Sequence, residues 1–169
     1  MSRAPAIDPR PHLAAVAAVA TMPGQPDALF SALDAALGVT LGHRLFTLMR
    51  YDAASGDSER VYTTHPAQYP VGGRKPLNPT PWTEQVLRRQ QPYLGRTFAD
   101  VRAVFFDHAL IASLGCGSVL NVPVAWDGRS LGTINLLHEE GWYDAGDAGL
   151  GLLFAALAVP AYLTLENAP

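Results

Sequence analysis

Two apolar runs, residues 118–124 (SVLNVPV) and 131–137 (LGTINLL), flank a turn that contains Asp127-Gly128. Asp-Gly between such runs predicts a β-hairpin, because both central positions of the favoured tight turn need positive φ. Counting outward from that turn sets a register in which Val124 faces Leu131, Val122 faces Thr133, Leu120 faces Asn135 and Ser118 faces Leu137. One side of this hairpin is then apolar with three polar interruptions, Ser118, Thr133 and Asn135. The other carries Val119, Ile134 and Leu136 with Asn121 among them. A sheet so apolar on both sides is covered on both, and polar groups on a covered face need partners in protein, water or ligand. The pattern points to a small-molecule pocket more than to a catalytic site.

Elsewhere the periodicity changes along the chain. Leu29, Phe30, Leu33 and Leu37 fall at helical spacing, with Gly38 as the expected stop. Residues 45–51 and 59–64 read as a second strand pair around a turn at 52–57. Residues 65–81 are too rich in proline and glycine for regular structure, and Tyr69 with its flanking prolines suggests an ordered lid. Thr80-Pro81 opens a short helix to about Gln90, supported by Glu84 and Arg88 at i,i+4 spacing. Tyr93-Leu94 reads as a brief extended piece, and Thr97 with Asp100 marks a capped helix start. Asp144 caps a last helix through Leu150, Leu153, Phe154 and Leu157, which Pro160 kinks or shortens. Hairpin-linked strands with helices at both chain ends predict an antiparallel sheet in an α+β domain.

With 169 residues and 49% apolar content, the chain suits one globular domain. A net charge of −3 gives no reason to expect nucleic acid or an anionic membrane surface as partner. A single cysteine excludes an intrachain disulfide and a cysteine-rich zinc site, and fits a cytoplasmic setting. Residues 13–20 (LAAVAAVA) follow Arg3 and Arg10 over the length of a signal-peptide core. Pro9 and Pro11 break its approach and no small-residue cleavage site follows, so an Ala-rich helix on the domain or on a partner subunit is expected. No stretch reaches the roughly 20 consecutive apolar residues of a membrane span.

The order of elements, with the run 118–136 (SVLNVPVAWDGRSLGTINL), resembles the C-terminal half of a GAF domain, where a strand ending in Val-Pro, a glycine turn and a Gly-led strand follow one another. The resemblance covers about residues 26 to 165 and is sharpest over 115–137. It implies a central antiparallel sheet, terminal helices on one face and, on the other, a pocket roofed by the loops and short helices before Ser118. It also implies a homodimer through the terminal helices, with residues 1–25 as an N-terminal helix and linker and 26–169 as the GAF-like domain. Such domains bind cyclic nucleotides, bilins, haem, amino acids and other small molecules, and many have no identified ligand. The domain fills nearly the whole chain, unlike the usual sensor kinase or phosphodiesterase layout.

On that resemblance the pocket residues are Tyr69, Trp82, Phe105, Phe106, His108, Ser118, Thr133 and Asn135, an apolar wall with a few fixed polar groups. The ligand and any cofactor are unidentified. Cys116 is the one catalytic candidate, since the free methionine-R-sulfoxide reductases with this domain use a thiolate near this strand. A sulfenic acid at Cys116 would have no resolving cysteine in the chain, and the flank 114–117 (LGCG) lacks the acidic residue expected of that family, so a buried packing role is the plainer reading. A module with a vestigial pocket that binds a protein partner is the other alternative. Asp107 and His108 are adjacent and do not share a helix face, so capping or a loop hydrogen bond is expected of them. His12, His43, His65 and His138 show no metal-ligand spacing. The run 71–75 (VGGRK) lacks the remainder of a phosphate loop; Arg74 reads as a solvated turn residue or as one that reaches an anionic ligand under the lid.

Overall fold

The computed structural model describes residues 7–166; residues 1–6 and 167–169, which the expected domain bounds include, lie outside the described residues. Helices α1 (Arg10–Val19) and α2 (Asp27–Thr40) lead into strands β1 (Leu45–Asp52) and β2 (Asp57–Thr63) and the short strand β3 (Arg74–Pro76). A single α-turn, α3 (Pro81–Thr83), runs into a π-helical turn at Glu84–Arg88 and is followed by β4 (Tyr93–Gly95). Two short helices, α4 (Phe98–Val104) and α5 (His108–Ser113), precede the hairpin β5 (Ser118–Trp126) and β6 (Arg129–His138), and α6 (Ala145–Glu166) ends the chain. The strands form one antiparallel sheet in the order β3-β2-β1-β6-β5-β4, the expected α+β arrangement.

The Asp127-Gly128 turn forms as its chemistry requires, with φ of 49° and 73° at the two residues. The expected register fails one step further on. Trp126 pairs with Arg129 and Ala125 with Ser130, but Val124 then pairs with Gly132, because Leu131 is an extra residue in a β-bulge. From there Val122 faces Ile134, Asn121 faces Asn135 and Leu120 faces Leu136. One inserted residue sends every side chain beyond it to the opposite face. Asn121, Thr133 and Asn135 therefore share one side of the sheet, and Leu120, Val122, Ile134 and Leu136 share the other. Gly132 is what allows the bulge to sit between β1 and β5: a Cβ there would lie 2.0 Å from the Met49 carbonyl oxygen and 2.5 Å from the Tyr162 ring.

The apolar side packs against α1, α2 and α6. Phe46, Leu48, Leu120, Val122, Ile134 and Leu136 meet Leu29, Phe30, Leu33 and Leu37 of α2 and Phe154, Ala158 and Tyr162 of α6, with Val16 of α1 buried among them. Phe30, Phe46, Tyr62 and Tyr162 form a chain of edge-on rings with centroids 5.8–6.2 Å apart, each contact worth about 0.5–1.5 kcal/mol beyond area burial. Tyr162, fully buried, donates its phenol proton to the backbone carbonyl of Thr133 at 3.0 Å. At the edge of this layer Asp34 accepts from the Tyr62 phenol at 2.7 Å and pairs with His43 at 2.9 Å. Burial pulls its carboxyl upward, but the His43 and Tyr62 contacts outweigh it and hold the group below the usual range.

Local deviations from the expected elements have local causes. Helix α2 runs through Gly38 to Thr40, and just beyond it Gly42 takes φ +78° and donates to the Leu37 carbonyl; Gly38 instead lets the His43 ring approach to 3.2 Å of where a Cβ would be. The helix expected to run to Gln90 becomes a π turn, Arg89 N–H donating to the Glu84 carbonyl at 2.9 Å, and its wide turn buries the adjacent Val86 and Leu87 together. Helix α6 continues through Pro160 to Glu166 without shortening, and Arg129 of the hairpin clasps Glu166 with two hydrogen bonds. By length and composition α6 could cross a membrane, yet Gly151, Phe154, Ala155, Ala158, Val159, Ala161 and Tyr162 build one of its faces into the core. The Thr80 cap and the Thr97 capping box form as the sequence indicates, and Thr83 closes a box at Thr80 as well.

Candidate functional site

On the face away from the three long helices, the sheet floors a cavity of ≈ 240 Å³. Its roof comes from the 65–80 segment, α3 and the link between α4 and α5, through Tyr69, Leu77, Trp82, Phe105 and Phe106. Leu45, Met49, Ile111 and Leu137 give the walls their apolar character. This volume lies below the roughly 300–1,000 Å³ of pockets for drug-sized ligands, so the space suits a small molecule.

Across the floor runs one polar row. The register sets Asn121, Asn135 and Thr47 side by side on β5, β6 and β1. The Trp82 indole N–H donates to Asn121 Oδ1 at 2.9 Å, Asn121 Nδ2 to Asn135 Oδ1 at 2.8 Å, and Asn135 Nδ2 to Thr47 Oγ1 at 3.2 Å. An indole can only donate, so Asn121 must turn its oxygen toward it, and each amide down the row is oriented in turn. Trp82 thereby ties the roof to the floor. Thr133 lies beside this row and Ser58 beyond it on β2; both hydroxyls line the cavity and neither makes a hydrogen bond among the described residues.

The charged groups of the lining are Arg60 on β2, Lys75 on β3 and Asp107 between α4 and α5. Asp107 accepts the Tyr69 phenol proton at 2.7 Å, and burial together with this carboxylate drives the phenol far above its ordinary value. The Arg60 guanidinium lies over the Tyr69 ring, 5.0 Å from its centroid, and donates through Nη1 to the Pro70 carbonyl at 3.0 Å. Its Nε is sealed off without an acceptor among the described residues. Lys75 Nζ stands 5.2 Å from the centroid of Phe106, a ring that is 83% exposed at the mouth of the cavity. Burial lowers the pKa of both cations, and Asp107 opposes that shift only in part.

Of the residues expected from the sequence, Tyr69, Trp82, Phe105, Phe106, Thr133 and Asn135 come together around this cavity. Two do not line it. Ser118 points into the helix side of the sheet, where its hydroxyl donates to the Gly95 carbonyl and accepts from the Tyr143 N–H. His108 opens α5 and turns its ring edge to Phe98. Asp107 occupies the cap position of α5 without bonding its backbone, because Tyr69 takes its carboxylate. Arg74 faces away from the cavity with Asp52 3.8 Å off, while Lys75, the next residue, faces in.

Cys116 sits outside the lining, packed among Leu45, Val101, Ile111, Val119 and Leu137. Burial pushes its thiol up to about 11, which leaves almost no thiolate at neutral pH. Among the described residues no cluster of three or more His, Cys, Asp and Glu side chains is placed to hold a metal ion.

No family model and no curated protein matches this sequence. Solved structures match its fold. The GAF domain of a phosphoenolpyruvate-protein phosphotransferase from Coxiella burnetii superposes with a TM-score of 0.75 at 14% identity, covering 96% of this chain and 97% of its own. The GAF domain of a two-component sensor histidine kinase from Bacillus halodurans gives 0.67 at 16% identity, covering 83% and 96%. The chromophore-binding domain of a bacteriophytochrome from R. palustris gives 0.71 at 10% identity, covering 95% of this chain and 63% of that one. The fold resemblance seen in the 118–136 run thus holds for the whole described chain, at identities where only the architecture is shared.

Proposed function

We propose that this GAF-fold chain is a sensory domain that binds a small molecule in the cavity and leaves it chemically unchanged. The observation that carries the reading is the oriented row from Trp82 through Asn121 and Asn135 to Thr47. Four polar groups are held in fixed directions under an aromatic roof, beside the unpaired hydroxyls of Ser58 and Thr133. Such a surface suits reversible recognition, with apolar walls supplying area and a few polar groups supplying orientation. The sensory role draws on the sensor kinase and bacteriophytochrome neighbours.

A thiol enzyme is not favoured, because Cys116 is buried outside the cavity with a raised pKa and no second cysteine exists to resolve an oxidised thiol. The protein works in the cytoplasm as a homodimer whose contact is made by the terminal helices. In support, Leu152, Leu153 and Ala156 of α6 and Ala14, Ala17 and Ala18 of α1 lie exposed.

The test is native mass spectrometry of the full chain purified from its host, followed by analysis of the denatured extract. One small molecule at one copy per chain, whose return to the emptied protein raises the Tm, is the expected result. A chain that carries nothing, and whose Tm no compound from a metabolite extract raises, would remove the ligand-binding reading.

A further inference from the structure

We infer that the cavity is built for a small organic anion, a carboxylate or a phosphate monoester, whose charged end lies between Arg60 and Lys75 and whose uncharged body lies over the Asn121–Asn135 row. This rests on the ligand-binding reading above and adds the chemical class of the ligand.

Two cations face the cavity against one carboxylate, and that carboxylate is already engaged by Tyr69. Neither Arg60 nor Lys75 forms an ion pair among the described residues, whereas Arg74, the immediate neighbour of Lys75, has Asp52 nearby on the opposite side of the strand. Both cations are half-buried and rest on aromatic faces, Arg60 on Tyr69 and Lys75 on Phe106. A ring face attracts a cation without neutralising it. Asp107 keeps its charge while it accepts from Tyr69 and acts on both cations, so it offsets one of the two positive charges; the concave surface keeps a net positive charge whose neutralisation is left to something else. Charges withdrawn from water without a counter-ion are costly, and the attraction they exert on an anion is correspondingly larger than in bulk solvent.

The geometry favours an oxyanion over a halide. Arg60 spends only Nη1, on Pro70, so its Nη2 retains donors in the planar arrangement that fits carboxylate and phosphate. Ser58 pairs with Lys75 across the strands and lies two residues from Arg60 on β2, which sets an unpaired hydroxyl between the cations. The remaining volume, walled by Met49, Trp82 and Phe105, accommodates a body about the size of one ring.

The test uses the indole N–H resonances of the full chain, whose three tryptophans are well separated in the structure: Trp82 in the cavity, Trp126 exposed at the hairpin tip and Trp142 bonded to the Leu41 carbonyl. The emptied protein is titrated with benzoate, phenyl phosphate and cyclohexanecarboxylate, and in parallel with benzamide and cyclohexanecarboxamide. The expected result is a saturable shift of Trp82 alone with the anions, and binding of the two amides at least about tenfold weaker. Lys75→Gln and Arg60→Gln should each weaken anion binding about tenfold or more, and Arg60→Lys should retain part of it. Lys75 lies on a short edge strand, so K75Q keeps the test readable if R60Q does not fold. Amides that bind as tightly as their acids, or anion binding unchanged in K75Q, would overturn the anion inference and leave the ligand-binding reading standing. A Trp82 signal silent to all five compounds would also overturn it, and the co-purification result decides the broader reading separately.

Discussion

Substituting Gly132 by Ala tests the strand register on which the cavity floor depends. The new Cβ would lie 2.0 Å from the Met49 carbonyl oxygen, whereas real Cβ atoms essentially never come within 3.0 Å of such a neighbour. The carbonyl belongs to the backbone of β1 and cannot rotate away, so β1 and β6 must part locally by about 1 Å, which stretches the flanking ladder bonds beyond useful length. Tyr162, whose ring would be 2.5 Å from the same atom, must move too and loosen its bond to the Thr133 carbonyl. Overpacking of this kind costs about 1–3 kcal/mol, and two or three weakened hydrogen bonds at about 1 kcal/mol each bring the expected loss to roughly 3–6 kcal/mol. Against a typical stability of about 5–15 kcal/mol that is a large fraction. Urea unfolding followed by circular dichroism measures it. Gly149→Ala on α6 is the internal control, since its Cβ meets nothing within 4 Å; it should raise stability by about 0.4–1 kcal/mol. A G132A loss below about 1 kcal/mol would mean that β6 does not pass β1 this closely, and the bulge register, with the Asn121–Asn135 pairing, would fall with it.

Asn121→Leu keeps the branched shape but strands the Trp82 indole and the Asn135 oxygen; a loss of about 2–4 kcal/mol in urea unfolding is expected, together with a moved Trp82 indole resonance. Cys116, with its thiol raised from 9.0 to about 11, should react with a thiol reagent at pH 8 about a hundredfold more slowly in the native chain than in urea, and equal rates would contradict its burial. Asp34 has a folded pKa below its ordinary value of 3.8, so its contribution is complete above that pH and lost as the pH falls through the lowered value. The stability gap between wild type and Asp34→Asn should therefore be larger just above pH 3.8 than below it, where it shrinks; a gap unchanged in acid would refute the pairing. Leu153→Glu, on the exposed side of α6, should convert the proposed dimer to monomer in analytical ultracentrifugation while leaving the Tm within a few degrees.

Most of the fold was legible because its signals are local. The Asp127-Gly128 turn, the Thr80 and Thr97 caps and the spacing of Leu29, Phe30, Leu33 and Leu37 each act within a few residues and each formed. The register failed because a bulge is decided by the neighbouring strand: Gly132 is needed where the β1 backbone crowds β6, and β1 lies eighty residues away in sequence. An isolated glycine inside a strand pattern was the available signal. The same slip hid Asn121 from the candidate site and wrongly put Ser118 in it. Arg60 and Lys75 were missed for a related reason. The short strand β3 is stabilised only by pairing with β2, and without it nothing tells Lys75, which faces inward, from Arg74, which faces out. His108 follows a helix start that bends it toward Phe98, a contact with no sequence signature.

The bond from Tyr162 to the Thr133 carbonyl crosses a partition one peptide thick. On one side of that peptide is a side chain in the cavity wall; on the other is a phenol anchored in the longest helix. No relay of intermediate side chains separates the two compartments. Any guest that pushes β6 by a fraction of an ångström at Thr133 displaces the acceptor that Tyr162 holds, and that helix carries the leucines left facing outward. In the proposed sensory role, the distance from guest to helix is therefore set by the thickness of the sheet and not by the width of the domain.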